Sequence, residues 1–399
     1  MSSSKREDFL WIIDCDPGCD DAIALALAAD KLRNEDVKIL TVAGNVGVDL
    51  TTWNACRVLA ACGRAWPVHR GCARSLSGEA TPAASVHGRD GLGDVPNDAI
   101  KATVRPPRKS TAVTELLKLV KRARAKMRER RFVLICTGPL ANLATALNLM
   151  TESEQLAFWA RCQQCVVMGG AFDVPGNITA AAEFNIHFDP VAARMVLESW
   201  RVAHEKDASL AHIRFVPLDI TETVGIPLAS PTDKTEAQIG SSHAVFLRAA
   251  LRKYGMFHAW FCARPRKYQG DLSSAPIHGI EDFREEPFLH ARMRGKGGLD
   301  ELKPFCFLHD PLAVWLALGG GGKDGCPNHL LWSKRYVSVD TGYGSSRGSL
   351  LHHREKAEKD NPSREPMMGT EVEWITAGAF DNHRDAFVNA IKDLLAIAR

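Results

Sequence analysis

The stretch Phe9-Leu-Trp-Ile-Ile-Asp14-Cys-Asp16-Pro-Gly-Cys-Asp-Asp21, running on into Ala22-Ile-Ala-Leu-Ala-Leu-Ala-Ala29, decides the fold. Phe9 to Ile13 is a short apolar run with β-branched residues, the pattern of a strand buried on both faces. Pro17 and Gly18 break it, and the Ala/Leu-rich run from Ala22 to Ala29 predicts a helix. The same alternation recurs downstream. Val37 to Val42 reads as a strand ending at Gly44-Asn45, and Trp53 to Cys62 as a helix. Phe132 to Cys136 is a strand, followed by Thr137-Gly138-Pro139 and a helix over Ala141 to Leu147. Cys165 to Met168 is a further strand before Gly169-Gly170; Pro190 to Trp200 is helical and Ile213 to Leu218 strand-like. Strands alternating with helices predict an α/β protein: an open, mostly parallel (mixed) sheet with helices on both faces, Rossmann-like.

Hydrophobic residues make up 45% of the 399 positions and charged ones 24%, which excludes a disordered or fibrous chain. We expect one domain over 1–399, with insertions or long loops at 263–303 and 345–368, where periodicity gives way to polar sequence. The net charge of +3 argues against a nucleic-acid or membrane partner. Met1 to Asp8 is polar and no apolar run reaches ~18 residues, so neither a signal peptide nor a membrane span is expected. The 11 cysteines are scattered and odd in number, which reads as reduced, buried thiols of a cytoplasmic protein. Cys162 and Cys165 form a CxxC without the second pair that a zinc finger requires.

The polar residues fall in a regular place. Asp14 and Asp16, Asn45, Thr137 and Met168 each lie at or beyond the C-terminal end of a predicted strand, the edge where open α/β sheets bind ligands. Asp14-Cys-Asp-Pro-Gly-Cys-Asp-Asp21 packs four carboxylates into eight residues. Helix capping accounts for two of them; four together repel one another unless a cation neutralises them, and a hard divalent ion suits an all-oxygen site. His309-Asp310-Pro311 adds a carboxylate and a titratable imidazole, a candidate proton donor. Met168-Gly-Gly170, Gly176-Asn177 and Glu183-Phe184-Asn185-Ile-His187 add amides and a carboxylate of the kind that bind sugar hydroxyls.

With these motifs in view, the chain resembles the nucleoside hydrolases, calcium-dependent enzymes that cleave the N-glycosidic bond of ribonucleosides. The resemblance is carried by the aspartate segment, Val42-Ala-Gly-Asn45, His87-Gly-Arg-Asp-Gly-Leu-Gly93, Thr137-Gly-Pro-Leu-Ala-Asn142, Met168-Gly-Gly170, Gly176-Asn177, Ala182-Glu-Phe-Asn-Ile186 and His309-Asp-Pro311. It implies the nucleoside hydrolase fold and a ribonucleoside substrate, giving ribose and a free purine or pyrimidine base in nucleoside salvage. Asp16, Asp21, the Thr137 carbonyl and Asp310 would hold Ca²⁺, and Asp16 would be the general base for the attacking water. Asp20, Asn45, Asn177, Glu183 and Asn185 would bind the ribose, with Met168 and Phe184 beside the sugar and Asp14 orienting its neighbours. His309 would protonate the leaving base. Tyr254 matches the first of two base-contacting helix tyrosines and His258 stands where the second would be, which makes His258 a second candidate donor. Trp260 is a candidate stacking surface, and His87 belongs to a Gly-rich flap that captures substrate. Motifs of both the purine-specific and the broad-specificity branches occur, so broad or purine-leaning activity is expected. A homodimer or homotetramer is implied as well. Two alternatives are a haloacid-dehalogenase-like phosphatase, which also carries Asp-x-Asp after its first strand, and a ribonucleoside-binding protein without turnover.

Overall fold

The computed structural model describes residues 9–32, 36–78, 80–100, 102–123, 130–227, 242–263, 305–319, 332–353 and 369–396. The opening unit is β1 (Leu10–Cys15), α1 (Cys19–Lys31), β2 (Asp36–Thr41), α2 (Val48–Ala61) and β3 (Val68–Arg70). A short helix α3 (Ala84–His87) precedes α4 (Ala112–Ala123), β4 (Phe132–Cys136), α5 (Ala141–Asn148), α6 (Glu152–Arg161) and β5 (Cys162–Met168). Next come α7 (Phe184–Phe188), α8 (Pro190–Lys206), β6 (Ile213–Val216), α9 (Leu218–Thr221) and β7 (Gly225–Pro227). The long helix α10 (Ser242–Ala263), β8 (Phe305–Phe307) and α11 (His309–Ala317) lead to β9 (Trp332–Val339), β10 (Leu350–His353) and β11 (Thr370–Ile375). Helices α12 (Ala377–Phe380) and α13 (Arg384–Leu394) follow.

Nine strands form one sheet in the order β10-β9-β11-β6-β5-β4-β1-β2-β3, and β7 pairs with β8 in a separate ribbon. From β11 to β3 every pair is parallel; β9 runs antiparallel to both β11 and β10. The expected mixed, mostly parallel sheet is therefore borne out. Alternate residues of β1 serve two cores. Trp11, Ile13 and Cys15 join the layer of α1, α2, α10, α11 and α13, while Leu10 and Ile12 join that of α4, α5, α6 and α8. Burial on both faces is why β1 reads as a continuous apolar run.

The chain leaves β1 for β2 on one side and returns to β4 on the other, so the strand order reverses at β1. Such a reversal opens a crevice at the carboxyl ends of the strands. Residues 350–353, inside the stretch expected to be a loop at 345–368, instead pair with β9 as strand β10. The remainder of that stretch, from 354, and all of 263–303 beyond its first residue lie outside the described residues. No helix among the described residues is long and apolar enough to cross a membrane.

Candidate active site

The crevice is floored by carboxylates. Asp14 and Asp16 come from the end of β1, whereas Asp20 and Asp21 occupy the first turn of α1, which starts at Cys19. Asp310 arrives from the first turn of α11. All five are buried, and carboxylate oxygens of Asp20, Asp21 and Asp310 lie within 4.8 Å of one another. Asp21 accepts from the Gly18 N–H at 2.9 Å, the Asn45 amide at 3.2 Å and the Thr137 hydroxyl at 2.9 Å. Asp16 Oδ2 accepts from the Asn45 N–H at 2.7 Å. Asn142 donates to Asp14 at 2.8 Å, and Tyr254 OH donates to Asp20 at 3.0 Å. One oxygen each of Asp14, Asp16 and Asp20 is buried with no partner.

Those unpartnered oxygens set the electrostatics. Burial raises Asp14 and Asp20 to about 7, the Asp21 charge adding to the effect on Asp20. Burial pushes Asp16 and Asp310 well above the usual carboxylate range, and neighbouring aspartates push them further. Asp21 is also raised by burial, although its hydrogen bonds oppose the rise. Five carboxyls so placed cannot all be ionised without a counter-charge. The carboxylates of Asp20, Asp21 and Asp310, gathered within 4.8 Å, are a hard-oxygen donor set that could hold a divalent cation.

Above this floor lies a cavity of about 670 Å³, counting its open mouth. Its lining combines carboxylates and amides, Asp20, Asn45, Asn177, Glu183, Asn185, Glu222 and Asp310, with the rings of His87, Phe184, Tyr254, Phe257, His258, Phe307 and His309, and with Thr137 and Met168. Glu183 caps α7, accepting from the N–H groups of Gly170, Asn185 and Ile186 at 2.8–3.1 Å. Asn185 donates to the carbonyls of Thr137 at 2.9 Å and Met168 at 3.3 Å, tying the ends of β4 and β5 together. Asn177 accepts from the Phe184 N–H at 2.9 Å.

Three imidazoles stand among the aromatic rings of the lining. The His258 ring lies 4.1 Å from Tyr254, 5.0 Å from Phe307 and 5.8 Å from His309, and His87 stacks on Tyr254 at 5.2 Å. The Phe307 N–H donates to His258 Nδ1 and the Cys19 N–H to His87 Nδ1, both at 3.1 Å. A backbone N–H can only donate, so both rings, when neutral, carry hydrogen on Nε2. His309 Nδ1 meets the Thr221 hydroxyl at 2.7 Å. Burial depresses all three, His87 to about 3, His309 to about 4 and His258 well below its ordinary value.

The structure thus gathers Asp20, Asn45, His87, Thr137, Met168, Asn177, Glu183, Phe184, Asn185, Tyr254, His258, His309 and Asp310 around one cavity. Asp14, Asp16 and Asp21 are not in its lining; they lie behind it, joined through Asn45, Thr137 and Asn142. The Trp260 side chain lies outside the described residues. Sequence reasoning missed Glu222, Phe257 and Phe307, which line the cavity, and Thr221, which meets His309. A signal for Glu222 existed, since it follows β6 at the same sheet edge as the other site residues.

Residues 11–376 match the family described as inosine-uridine preferring nucleoside hydrolase. The chain is 38% identical over 226 residues to a pyrimidine-specific ribonucleoside hydrolase of Shewanella woodyi, covering 53% of this chain and 68% of that one. It is 41% identical over 214 residues to an uncharacterized protein of Schizosaccharomyces pombe, where the match covers 53% of this chain and 61%, less than two thirds, of the relative. A solved plant nucleoside hydrolase superposes with a TM-score of 0.68 at 25% identity, covering 97% of this chain and 99% of the other. A purine-preferring ribonucleoside hydrolase from Gardnerella vaginalis gives 0.63 at 23% identity over 98% and 100%, a likeness of fold.

Proposed function

The chain belongs to the inosine-uridine preferring nucleoside hydrolase family, and from that premise we propose that it hydrolyses the N-glycosidic bond of ribonucleosides to ribose and a free base. The observation that carries this reading is the meeting of two unlike groups of side chains in one cavity. Carboxylates and amides suit a polyhydroxylated sugar; the aromatic rings and imidazoles suit a flat base.

We assign the cation as Ca²⁺, held by Asp21, Asp310 and the Thr137 carbonyl, with Asp16 and Asp20 supplying their unpartnered oxygens. When bound, the ion neutralises the carboxylates and acts as a Lewis acid toward oxygen ligands. Asp16 takes the proton of the water that attacks the anomeric carbon. Asn45, Asn177, Glu183 and Asn185 hold the ribose hydroxyls beside Met168 and Phe184, and Asp14 orients the floor through Asn142. As the C–N bond breaks, positive charge builds on the sugar, and the ionised floor stabilises it. His309 and His258 meet the departing base, Tyr254 packs beside them, and His87 closes over the substrate from the flap. A phosphatase reading lacks support here, because the chain matches the nucleoside hydrolase family over residues 11–376.

The same reading carries a single domain, since one sheet draws strands from residues 10 to 375. It also carries a cytoplasmic homodimer or homotetramer. Nine described cysteines are free, and exposed Leu50 and Trp53 on α2 offer an apolar surface.

The test is ribose release from inosine, guanosine, adenosine, uridine and cytidine, with calcium and with a chelator. Release that the chelator stops is the expected result. No release from any of the five in calcium would overturn the reading.

A further inference from the structure

Every hydrolysis of this kind needs a proton for the base as it leaves, and the imidazoles are poorly equipped to supply it. His258 spends Nδ1 on the Phe307 N–H and His309 Nδ1 is engaged by Thr221, which leaves each ring one nitrogen facing the cavity. The rings of Tyr254 and Phe307 pack against His258, and that apolar surround disfavours its charged form. A neutral imidazole can hydrogen-bond to the base, yet giving up its only N–H proton would leave an imidazolate.

We propose that Glu222 is the acid that protonates the departing base. The inference rests on the hydrolase reading of this cavity and adds a catalytic residue to it. Glu222 follows Thr221 at the end of α9, so the contact that anchors His309 also sets the position of the Glu222 backbone. Its side chain lines the same cavity as His258, His309 and the sugar-binding amides. Among the described residues its carboxyl has no hydrogen-bond partner, whereas Glu183, the other glutamate of the cavity, is saturated by three backbone N–H groups. Burial, helped by the charge of Asp219, raises it to about 7, so a substantial share of it carries a proton at neutral pH that it can release within the reaction. Two carboxyl groups with opposed duties on the two sides of a scissile bond are the general solution for glycoside cleavage.

The step balances. The C–N bond breaks with its electron pair going to the base nitrogen, the Glu222 O–H proton passes to the base, and the base leaves neutral. Water supplies the new C–O bond and gives its proton to Asp16. Solvent reaching the cavity returns a proton to Glu222, and Asp16 gives up the one it took before the next turnover.

The experiment compares inosine with p-nitrophenyl riboside, whose phenolate leaves without a proton, in the full-length wild type and in Glu222→Gln. Gln keeps the size and polarity of the side chain and cannot protonate a base. The expected result is a fall in kcat for inosine of about 10²-fold or more, with the inosine to p-nitrophenyl riboside kcat ratio falling at least about tenfold. Partial recovery of that ratio in Glu222→Asp, which restores an acid, supports the assignment further. Equal losses on both substrates, or no loss on inosine, would overturn it. Were wild type to hydrolyse neither substrate in calcium, the hydrolase reading itself would fail and this inference with it; hydrolysis of both by wild type with an unchanged ratio in Glu222→Gln sinks the Glu222 assignment alone.

Discussion

Asp21 and Asp310 touch through their carboxyl groups, so at neutral pH either a proton or a cation must stand between them. A buried cluster of this sort is costly without its ion and stabilising with it. Asp310→Asn removes one of the charges while keeping the shape. We therefore expect this variant to melt at or above the wild-type temperature in chelator, yet to gain little from added calcium, where wild type rises by several degrees. Thermal melts in the two conditions check this; a variant that melts well below wild type in chelator would contradict the repulsion argument. On the proposed reading His309 hydrogen-bonds to the departing base, and His309→Ala should then lower kcat for inosine about tenfold, with a smaller loss on p-nitrophenyl riboside. Steady-state kinetics on both substrates decides it.

Among the elements, β11 shows how the far side of the sheet is secured. Its Glu371 accepts from Lys334 at 2.7 Å and Tyr336 at 2.6 Å on β9, and meets His212 Nε2 at 2.8 Å just before β6. Burial would raise Glu371, but these partners outweigh it and hold the carboxyl down at about 2, below its ordinary 4.5. A depressed folded value means stability that is present above the unfolded value and lost as pH falls from about 4.5 toward 2. Glu371→Gln should thus be less stable than wild type at pH 7, by under about 1 kcal/mol because the site is partly solvated, and the gap should close near pH 2. Urea titrations at several pH values measure it; a gap that persists at low pH would mean that packing, not charge, is at stake. The alternation in Thr370-Glu-Val-Glu-Trp-Ile375 places Val372 and Trp374 inward and the glutamates outward. That period-two signal of a half-buried strand was present in the sequence, but the parallel strands read there were continuous apolar runs, and a different pattern passed unnoticed.

At the scale of the whole molecule, the half of the sheet around β1 was legible because each strand there is buried on both faces and ends in a turn with glycine. The three-residue strands β3, β7 and β8 are too short to show any period. The site was legible for the same reason as the fold: Asp16, Asn45, Thr137 and Met168 all sit where strands end. Glu222 escaped because Ile213 to Leu218 reads as one strand, whereas α9 begins at Leu218 and carries the chain round to the cavity. Phe257 and Phe307 escaped because an aromatic residue in an apolar segment is ordinarily core, and only the packing of α10 against β8 turns these two toward a ligand.

The floor of the cavity leaves no slack. A Cβ added at Gly44 would fall 2.0 Å from Asp16 Oδ2, and one at Gly138 would fall 2.5 Å from Oδ1, so the carboxylate stands in a slot walled by two residues without side chains. A systematic mutational scan scored on nucleoside turnover should therefore rank two chemically inert positions beside the acids themselves. Gly44→Ala and Gly138→Ala are each expected to lose at least about tenfold in kcat/KM, and a tolerant score at both would show that Asp16 can swing aside without harm. Two glycines, on loops that come from different strands, thus set the evolutionary freedom of one aspartate: descendants of this chain can diversify the walls around the base far more readily than the ground beneath the sugar.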